Sequence, residues 1–178
     1  MRTVTIVSAG LSTPSSSLAL AQEIASEVRK EVAASGQTLT VQIIELRNLA
    51  VDLAHSVTEN ATSVQLQQAI DSVRSADALI AVTPVFKASY SGLFKMFFDV
   101  LHPQDIHEMP VIIAANAGSQ RHALVLEYAV RPLFTYLKAA TVPTAILATP
   151  HDRLPENSDA FCQRIRRAAH ELALLLTP

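Results

Sequence analysis

Residues 78–92 read Ala-Leu-Ile-Ala-Val-Thr-Pro-Val-Phe-Lys-Ala-Ser-Tyr-Ser-Gly, a run of five apolar residues followed by ten of mixed character. Apolar residues then recur at 93, 94, 97, 98 and 101, which is helical spacing. The segment therefore predicts a buried strand, a loop over 83–92 and a helix over 93–101. Because ligands in open α/β sheets bind beside the carboxyl ends of the strands, this loop is a candidate binding element.

Four further strands are predicted around this segment, over 3–8, 40–46, 109–115 and 142–148. Helical periodicity lies between them, over 18–32, 66–73, 122–138 and 160–176, whereas 47–59 shows no clear period and is predicted to be irregular. Alternating strands and helices with near-continuous apolar strands are typical of a parallel sheet covered on both faces. The predicted fold is α/β, a flavodoxin-like doubly wound five-stranded parallel sheet of order 2-1-3-4-5 with helices on both faces.

Composition favours one globular domain over residues 1–178, since 49% of the residues are apolar and 17% are charged. A net charge of −2 gives no electrostatic reason to expect nucleic acid or an anionic membrane as partner. No apolar run approaches the roughly 20 residues of a membrane span, and the first strand is too short for a signal peptide. The single cysteine, Cys162, favours a reduced cytoplasmic setting, and the histidines show no metal-ligand spacing with it.

Three of the four glycines, Gly10, Gly92 and Gly118, follow the predicted first, third and fourth strands. Glycine permits a positive φ and lets the backbone approach a ligand closely. For any one of them alone, ordinary turn chemistry is the better explanation. Their shared position at one edge of the sheet favours a common crevice.

The loop after the first strand has the composition of an anion site. Ser12, Ser15, Ser16 and Ser17 supply hydroxyl groups, and the helix that follows supplies free N–H groups at its positive end. No lysine or arginine lies between Arg2 and Arg29, so neutral donors alone are expected to hold the anion. A Walker loop and a dinucleotide-binding glycine turn are both excluded by their missing residues. A terminal phosphomonoester such as that of FMN fits best, and a plain serine N-cap is the alternative.

The loops after the third and fourth strands can hold a flat ring between them. The first can lay backbone amides and the apolar edge of Pro84, Val85 and Phe86 along the ring, and the second brings polar groups from 116–122. An isoalloxazine requires this combination of backbone hydrogen bonds, apolar contact and one open face. Core packing remains the alternative for Phe86 and Tyr90, as solvation does for Lys87.

At these residues the chain resembles the NAD(P)H-dependent FMN reductases of the flavodoxin-like superfamily, over about 3–150. It looks most like the alkanesulfonate-type reductases, which supply reduced flavin to a separate luciferase-like monooxygenase. The resemblance is strongest over 77–92 and in the run Glu-Tyr-Ala-Val-Arg-Pro-Leu at 127–133. It implies FMN and NAD(P)H as cofactors and such a monooxygenase as partner. It also implies phosphate contacts from Ser12, Ser15, Ser16 and Ser17, ring contacts from Pro84, Val85, Phe86 and Lys87, and pyrimidine contacts from Ala117, Gly118 and Ser119.

The chain departs from that family in all three loops of the predicted site, and in the third loop Asn116-Ala117-Gly118 replaces a more glycine-rich run. Its first loop lacks the arginine that many relatives place near the phosphate, and Phe86 stands where tyrosine is usual. No catalytic side chain and no metal ligand is predicted, because hydride transfer between stacked rings requires alignment rather than acid–base chemistry.

Pro132 predicts a distortion in the helix over 122–138, because it cannot donate a hydrogen bond to the carbonyl of Tyr128. A kink or a π-bulge is the usual result. In the alkanesulfonate-type reductases the matching tyrosine is associated with a π-helix at a subunit interface. The resemblance thus implies a homodimer or homotetramer formed through the 93–101 and 122–138 helices.

Two other flavin functions suit the same scaffold. One is an enzyme that retains FMN and reduces quinones, azo dyes or metal oxyanions with NAD(P)H. The other is a flavodoxin-type electron carrier, although such carriers are usually strongly acidic and this chain has a net charge of only −2. A module that binds no flavin is the remaining alternative.

Overall fold

The computed structural model describes residues 1–176, so that Thr177 and Pro178, at the end of the expected domain, lie outside the described residues. Its strands are β1 (Arg2–Ser8), β2 (Leu39–Glu45), β3 (Ala78–Phe86), β4 (Ser89–Tyr90), β5 (Pro110–Asn116), β6 (Ala140–Thr141) and β7 (Ile146–Ala148). Its α-helices are α1 (Ser16–Ala34), α2 (Ala50–Glu59), α3 (Val64–Arg74), α4 (Gly92–Asp99), α5 (Arg131–Tyr136) and α6 (Pro155–Leu176). Within this part of the chain, no helix combines the length and the apolar character that a membrane crossing requires.

The main sheet is parallel and has the order β2-β1-β3-β5, followed by an edge position that β6 and β7 share. This confirms the predicted flavodoxin-like order 2-1-3-4-5. The short β4 lies outside that order and pairs antiparallel with the end of β3.

Alternate residues of the central strands face opposite layers of helices, as the period of two in a β-strand requires. Ala78, Ile80 and Val82 pack with the buried faces of α1 and α6. Leu79 and Ala81 pack on the other side, with buried side chains of α2, α3, α4 and α5. The prediction of helices on both faces is therefore confirmed.

The prediction that 47–59 is irregular is wrong. A 3₁₀ turn over Leu46–Leu49 leads directly into α2. Within α2 only Leu53 is fully buried, so the segment carries almost no apolar period from which a helix could be recognised.

The predicted edge strand over 142–148 and the long helix over 122–138 are both interrupted. β6 ends at Thr141 and β7 begins at Ile146. The expected helix consists of a 3₁₀ turn over Gln120–His122, a π-helix over Leu126–Val130 and then α5. The π-helix confirms the predicted distortion: the amide of Arg131 donates to the carbonyl of Leu126, five residues earlier.

Candidate functional site

A cavity of about 690 Å³ opens at the carboxyl edge of the sheet. Its volume falls within the range that small-molecule sites usually have. Six of the residues predicted from the sequence line it: Ser16, Pro84, Val85, Phe86, Ala117 and Gly118. All three predicted loops therefore contribute to one cavity.

Strand register brings these segments together. Pro84 at the end of β3 lies opposite Asn116 of β5, and Asn116 lies opposite Ala148 of β7. The amide of Ala9, directly after β1, donates to the carbonyl of Val82 at 2.9 Å. The chain thus leaves neighbouring strands at the same level, and the connections that follow surround the cavity.

The first loop folds tightly around Gly10. A Cβ atom at this position would lie 2.0 Å from the Ser15 hydroxyl oxygen, so that only glycine fits there without a shift. Ser15 is the N-cap of α1 and accepts a hydrogen bond from the amide of Leu18 at 3.1 Å. Ser12 donates to the carbonyl of Pro14 at 2.9 Å. Ser17 is 1% exposed, and its hydroxyl oxygen has no hydrogen-bond partner.

The 83–92 segment is a β-hairpin rather than the loop that its composition predicted. β3 continues to Phe86 and returns through β4, because the buried hydroxyl of Thr83 accepts the amide of Ser91 at 2.9 Å and closes the base. The two residues of the turn, Lys87 and Ala88, have φ values of 49° and 68°. A two-residue hairpin favours this left-handed pair of conformations, usually with Asn or Gly.

The hairpin gives its side chains different roles. Phe86 is 45% exposed and lines the cavity, so it offers an aromatic surface to a ligand. Tyr90 packs against Phe94 with ring centroids 5.9 Å apart, in agreement with the packing alternative. Lys87 lies at the tip of the turn and is not among the residues that line the cavity.

The third loop is held by the edge strand. The amide of Ala117 donates to the carbonyl of Ala148 at 2.9 Å, so this donor is engaged within the protein. The side-chain oxygens of Asn116 and Ser119 are buried and have no hydrogen-bond partner. Gly118 has no positive φ and no atom close to the position of an added Cβ.

The glycines therefore do not share one role. None of Gly10, Gly92 and Gly118 has a positive φ, so a left-handed backbone does not explain the glycine at any of these positions. At Gly10 the side chains of Ser15 and Ser17 approach the backbone closely, whereas an added Cβ at Gly92 or Gly118 would lie in open space.

The polar groups of the two loops fit FMN, since Ser17 and Ser119 offer hydroxyl groups and Asn116 offers an amide oxygen that accepts. Three side-chain oxygens, on Ser17, Asn116 and Ser119, are buried without a partner in the two loops predicted to hold its polar ends. Leaving a buried polar group unpaired costs about 1–3 kcal/mol, a cost that a polar ligand removes. The apolar edge of the hairpin lies between these loops, where a flat ring would lie.

Sequence reasoning missed a cation at the first loop. Arg47, in the 3₁₀ turn after β2, donates through Nη1 to the carbonyl of Ser12 at 2.8 Å and to the hydroxyl of Thr13. Arg47 thus places a cation beside a loop whose own residues are all neutral, and the expectation of neutral donors alone did not include it. The available signal was that Arg47 follows a strand adjacent to β1 and so emerges at the same edge.

A fourth wall of the cavity was missed as well. Thr149 and Arg153 follow β7 and line the cavity together with residues of α1. Arg153 pairs with Glu23 of α1 at 2.9 Å, and its guanidinium lies 4.7 Å from the centre of the Phe161 ring. Thr149 and Arg153 follow the predicted fifth strand. Polar residues in that position mark the ligand-binding edge of such a sheet, so the rule applied to the other loops could have identified them.

The model of the NADPH-dependent FMN reductase family matches residues 1–153. The chain is 36% identical to the "FMN reductase (NADPH)" of Pseudomonas aeruginosa, over 97% of this chain and 91% of the relative. It is 34% identical to the "NADH-dependent FMN reductase SfnE" of Pseudomonas putida, over 93% and 88% of the two chains. The crystal structure of an oxidoreductase from Corynebacterium diphtheriae is 48% identical, with a TM-score of 0.93, over 98% of this chain and 96% of the other.

Proposed function

Because the chain belongs to the NADPH-dependent FMN reductase family, we propose that it reduces FMN for release to a partner luciferase-like monooxygenase. It is an oxidoreductase that uses NAD(P)H and FMN. The partner rests on the resemblance of 77–92 and 127–133 to the alkanesulfonate-type reductases, and the π-helix over Leu126–Val130 supports it.

In this proposal the chain binds and orients the flavin. Ser12, Ser15, Ser16 and Ser17 would hold the phosphate. Pro84, Val85 and Phe86 would hold the ring, with Lys87 at the tip of the same hairpin, and Ala117, Gly118 and Ser119 would hold the pyrimidine side. When bound, FMN would supply the acceptor for a hydride from NAD(P)H, and the residues around it would align the two rings in a dry site rather than donate a proton. The apolar edge of the hairpin excludes water from one face of the ring.

The observation that carries this proposal is the cavity of about 690 Å³, which collects residues from all three predicted loops. Steady-state oxidation of NADH and of NADPH, with and without added FMN, tests it. A rate that rises with free FMN supports the reductase. Tightly bound flavin with turnover only on an added quinone would favour the enzyme that retains FMN, and bound flavin without NAD(P)H oxidation would favour the electron carrier.

We also propose a homodimer or homotetramer, for which the 122–138 segment provides better support than the 93–101 helix. Leu124 is 63% exposed and Tyr128 is 77% exposed, beside a shallow apolar groove of about 470 Å³. In α4, by contrast, Phe94, Phe97 and Phe98 are buried in the core of the same chain. The described part of the chain thus leaves an apolar surface open at the π-helix.

We also propose that residues 1–178 form one domain that works in the cytoplasm. The support for this location is the single cysteine, Cys162, which allows no internal disulfide.

A further inference from the structure

Arg47 is fixed at the first loop by three contacts. Its Nη1 lies 2.8 Å from the carbonyl oxygen of Ser12 and also contacts the hydroxyl of Thr13. Its Nη2 lies 2.8 Å from a carboxylate oxygen of Glu45. The side chain is only 25% exposed. A guanidinium has five N–H donors, so these contacts leave donors for a ligand.

The backbone explains why Arg47 reaches this loop. Glu45 ends β2 directly opposite Ser8, the last residue of β1. The 3₁₀ turn over Leu46–Leu49 therefore begins beside the loop that follows β1. Glu45 orients the guanidinium, because its side chain is itself mostly buried beside that of Arg47.

Two features of the same loop favour the binding of an anion. α1 has 19 residues with no acidic side chain in its first turn, so no carboxylate compensates its positive dipole there, although Ser15 caps the amide of Leu18. Independently, the hydroxyl oxygen of Ser17 is buried without a partner, and its Cβ lies 3.2 Å from the place that a Gly10 Cβ would take. Buried hydroxyl groups usually have a hydrogen-bond partner, and a polar ligand at this loop would supply one to Ser17.

We propose that Arg47 supplies the positive charge that binds the phosphomonoester of the flavin and makes the site select FMN over riboflavin. This inference rests on the proposed function and deepens it. The first loop of this protein contains no cation of its own, and the turn that follows the neighbouring strand β2 supplies Arg47 instead. Arg47 acts on affinity and selectivity, and takes no part in hydride transfer.

Flavin fluorescence titrations of the wild type, R47Q and R47K, with FMN and with riboflavin, test this role. We expect R47Q to weaken FMN binding by about 10- to 100-fold, since one charge-assisted contact is lost, and to leave riboflavin binding unchanged. R47K retains the charge and should retain most of the preference for FMN. R29Q, at an exposed position of α1, removes the same charge and should change neither affinity.

Other outcomes separate this inference from the proposed function. An equal loss of affinity for FMN and riboflavin in R47Q would show that Arg47 only stabilises the first loop. This outcome would overturn the inference and leave the proposed function intact. A wild type that binds neither flavin would overturn the proposed function together with it. If R47Q does not fold, the salt dependence of the wild type decides, because screening should weaken FMN binding and leave riboflavin binding unaffected. Equal salt dependence would overturn the inference.

Discussion

Arg131 binds both carboxylate oxygens of Glu127, with Nε 2.6 Å from Oε2 and Nη2 2.9 Å from Oε1. The pair spans the junction between the π-helix and α5. Its hydrogen bonds lower the pKa of Glu127 below its usual value and raise that of Arg131. The same guanidinium donates to the carbonyls of Val142 and Pro143 at 3.0 and 3.1 Å, in the gap between β6 and β7. One side chain therefore connects the π-helix to the interrupted edge strand.

Replacing Arg131 should destabilise the protein more than replacing its acidic partner. R131Q leaves the carbonyls of Val142 and Pro143 without their donor, and we expect it to lower the free energy of unfolding by about 2–3 kcal/mol. E127Q removes a half-exposed partner, and we expect a loss of less than about 1 kcal/mol. Urea denaturation of the two variants measures both values. Equal losses would contradict the view that the strand contacts carry the stabilisation.

Asp77 should make stability depend on pH in the acidic range. Desolvation raises its pKa, but hydrogen bonds from the Thr3 amide at 2.7 Å and from Arg2 at 3.0 Å outweigh it, so the pKa is lowered from 3.8. A lowered pKa stabilises the fold above the unfolded value, and this stabilisation is lost as pH falls through the folded value. We expect D77N to be less stable than the wild type by about 1 kcal/mol at pH 7 and equally stable near pH 2. Denaturation across this range measures the difference, and a constant gap would contradict the assignment.

The sequence was sufficient for the sheet order because the central strands are buried on both faces and read as continuous apolar runs. It was insufficient where a segment has one buried side chain, as in α2 with Leu53. For the site, the position of residues after a strand predicted three of the four walls. Arg47 was missed because its contact with Ser12 spans 35 residues of sequence and depends on the pairing of β2 with β1.

The apolar surface at the π-helix should hold the proposed oligomer together. An acidic residue at Leu124 would bury an unpaired charge in an interface, so we expect L124E to shift the wild-type oligomer toward the monomer in analytical ultracentrifugation. V51E on α2 places the same charge at a similarly exposed valine and serves as the control. A wild type that sediments as a monomer, or an L124E variant that remains assembled, would contradict the proposed interface.

Gly10 and Gly92 should respond differently to the same substitution. In G10A the new Cβ must displace Ser15, so we expect the loss of an N-cap worth about 1 kcal/mol and weaker FMN binding. In G92A the Cβ enters open space at the start of α4, and neither stability nor FMN affinity should fall. Thermal unfolding and flavin titration measure both effects. Normal FMN affinity in G10A would show that the first loop can rearrange around the larger residue.

The hairpin tip should gain stability from glycine, whereas an ordinary helix should lose it. Ala88 has a φ of 68°, a left-handed conformation that costs a residue with a side chain about 1–2 kcal/mol. Glycine avoids this cost but loses more chain entropy on folding, so we expect a net gain of about 0.5–1 kcal/mol from A88G. A160G, at an exposed position within α6, should instead lose about 1 kcal/mol. Urea denaturation of both variants measures the two opposite signs, and a loss of stability in A88G would mean that the turn does not hold Ala88 in the left-handed region.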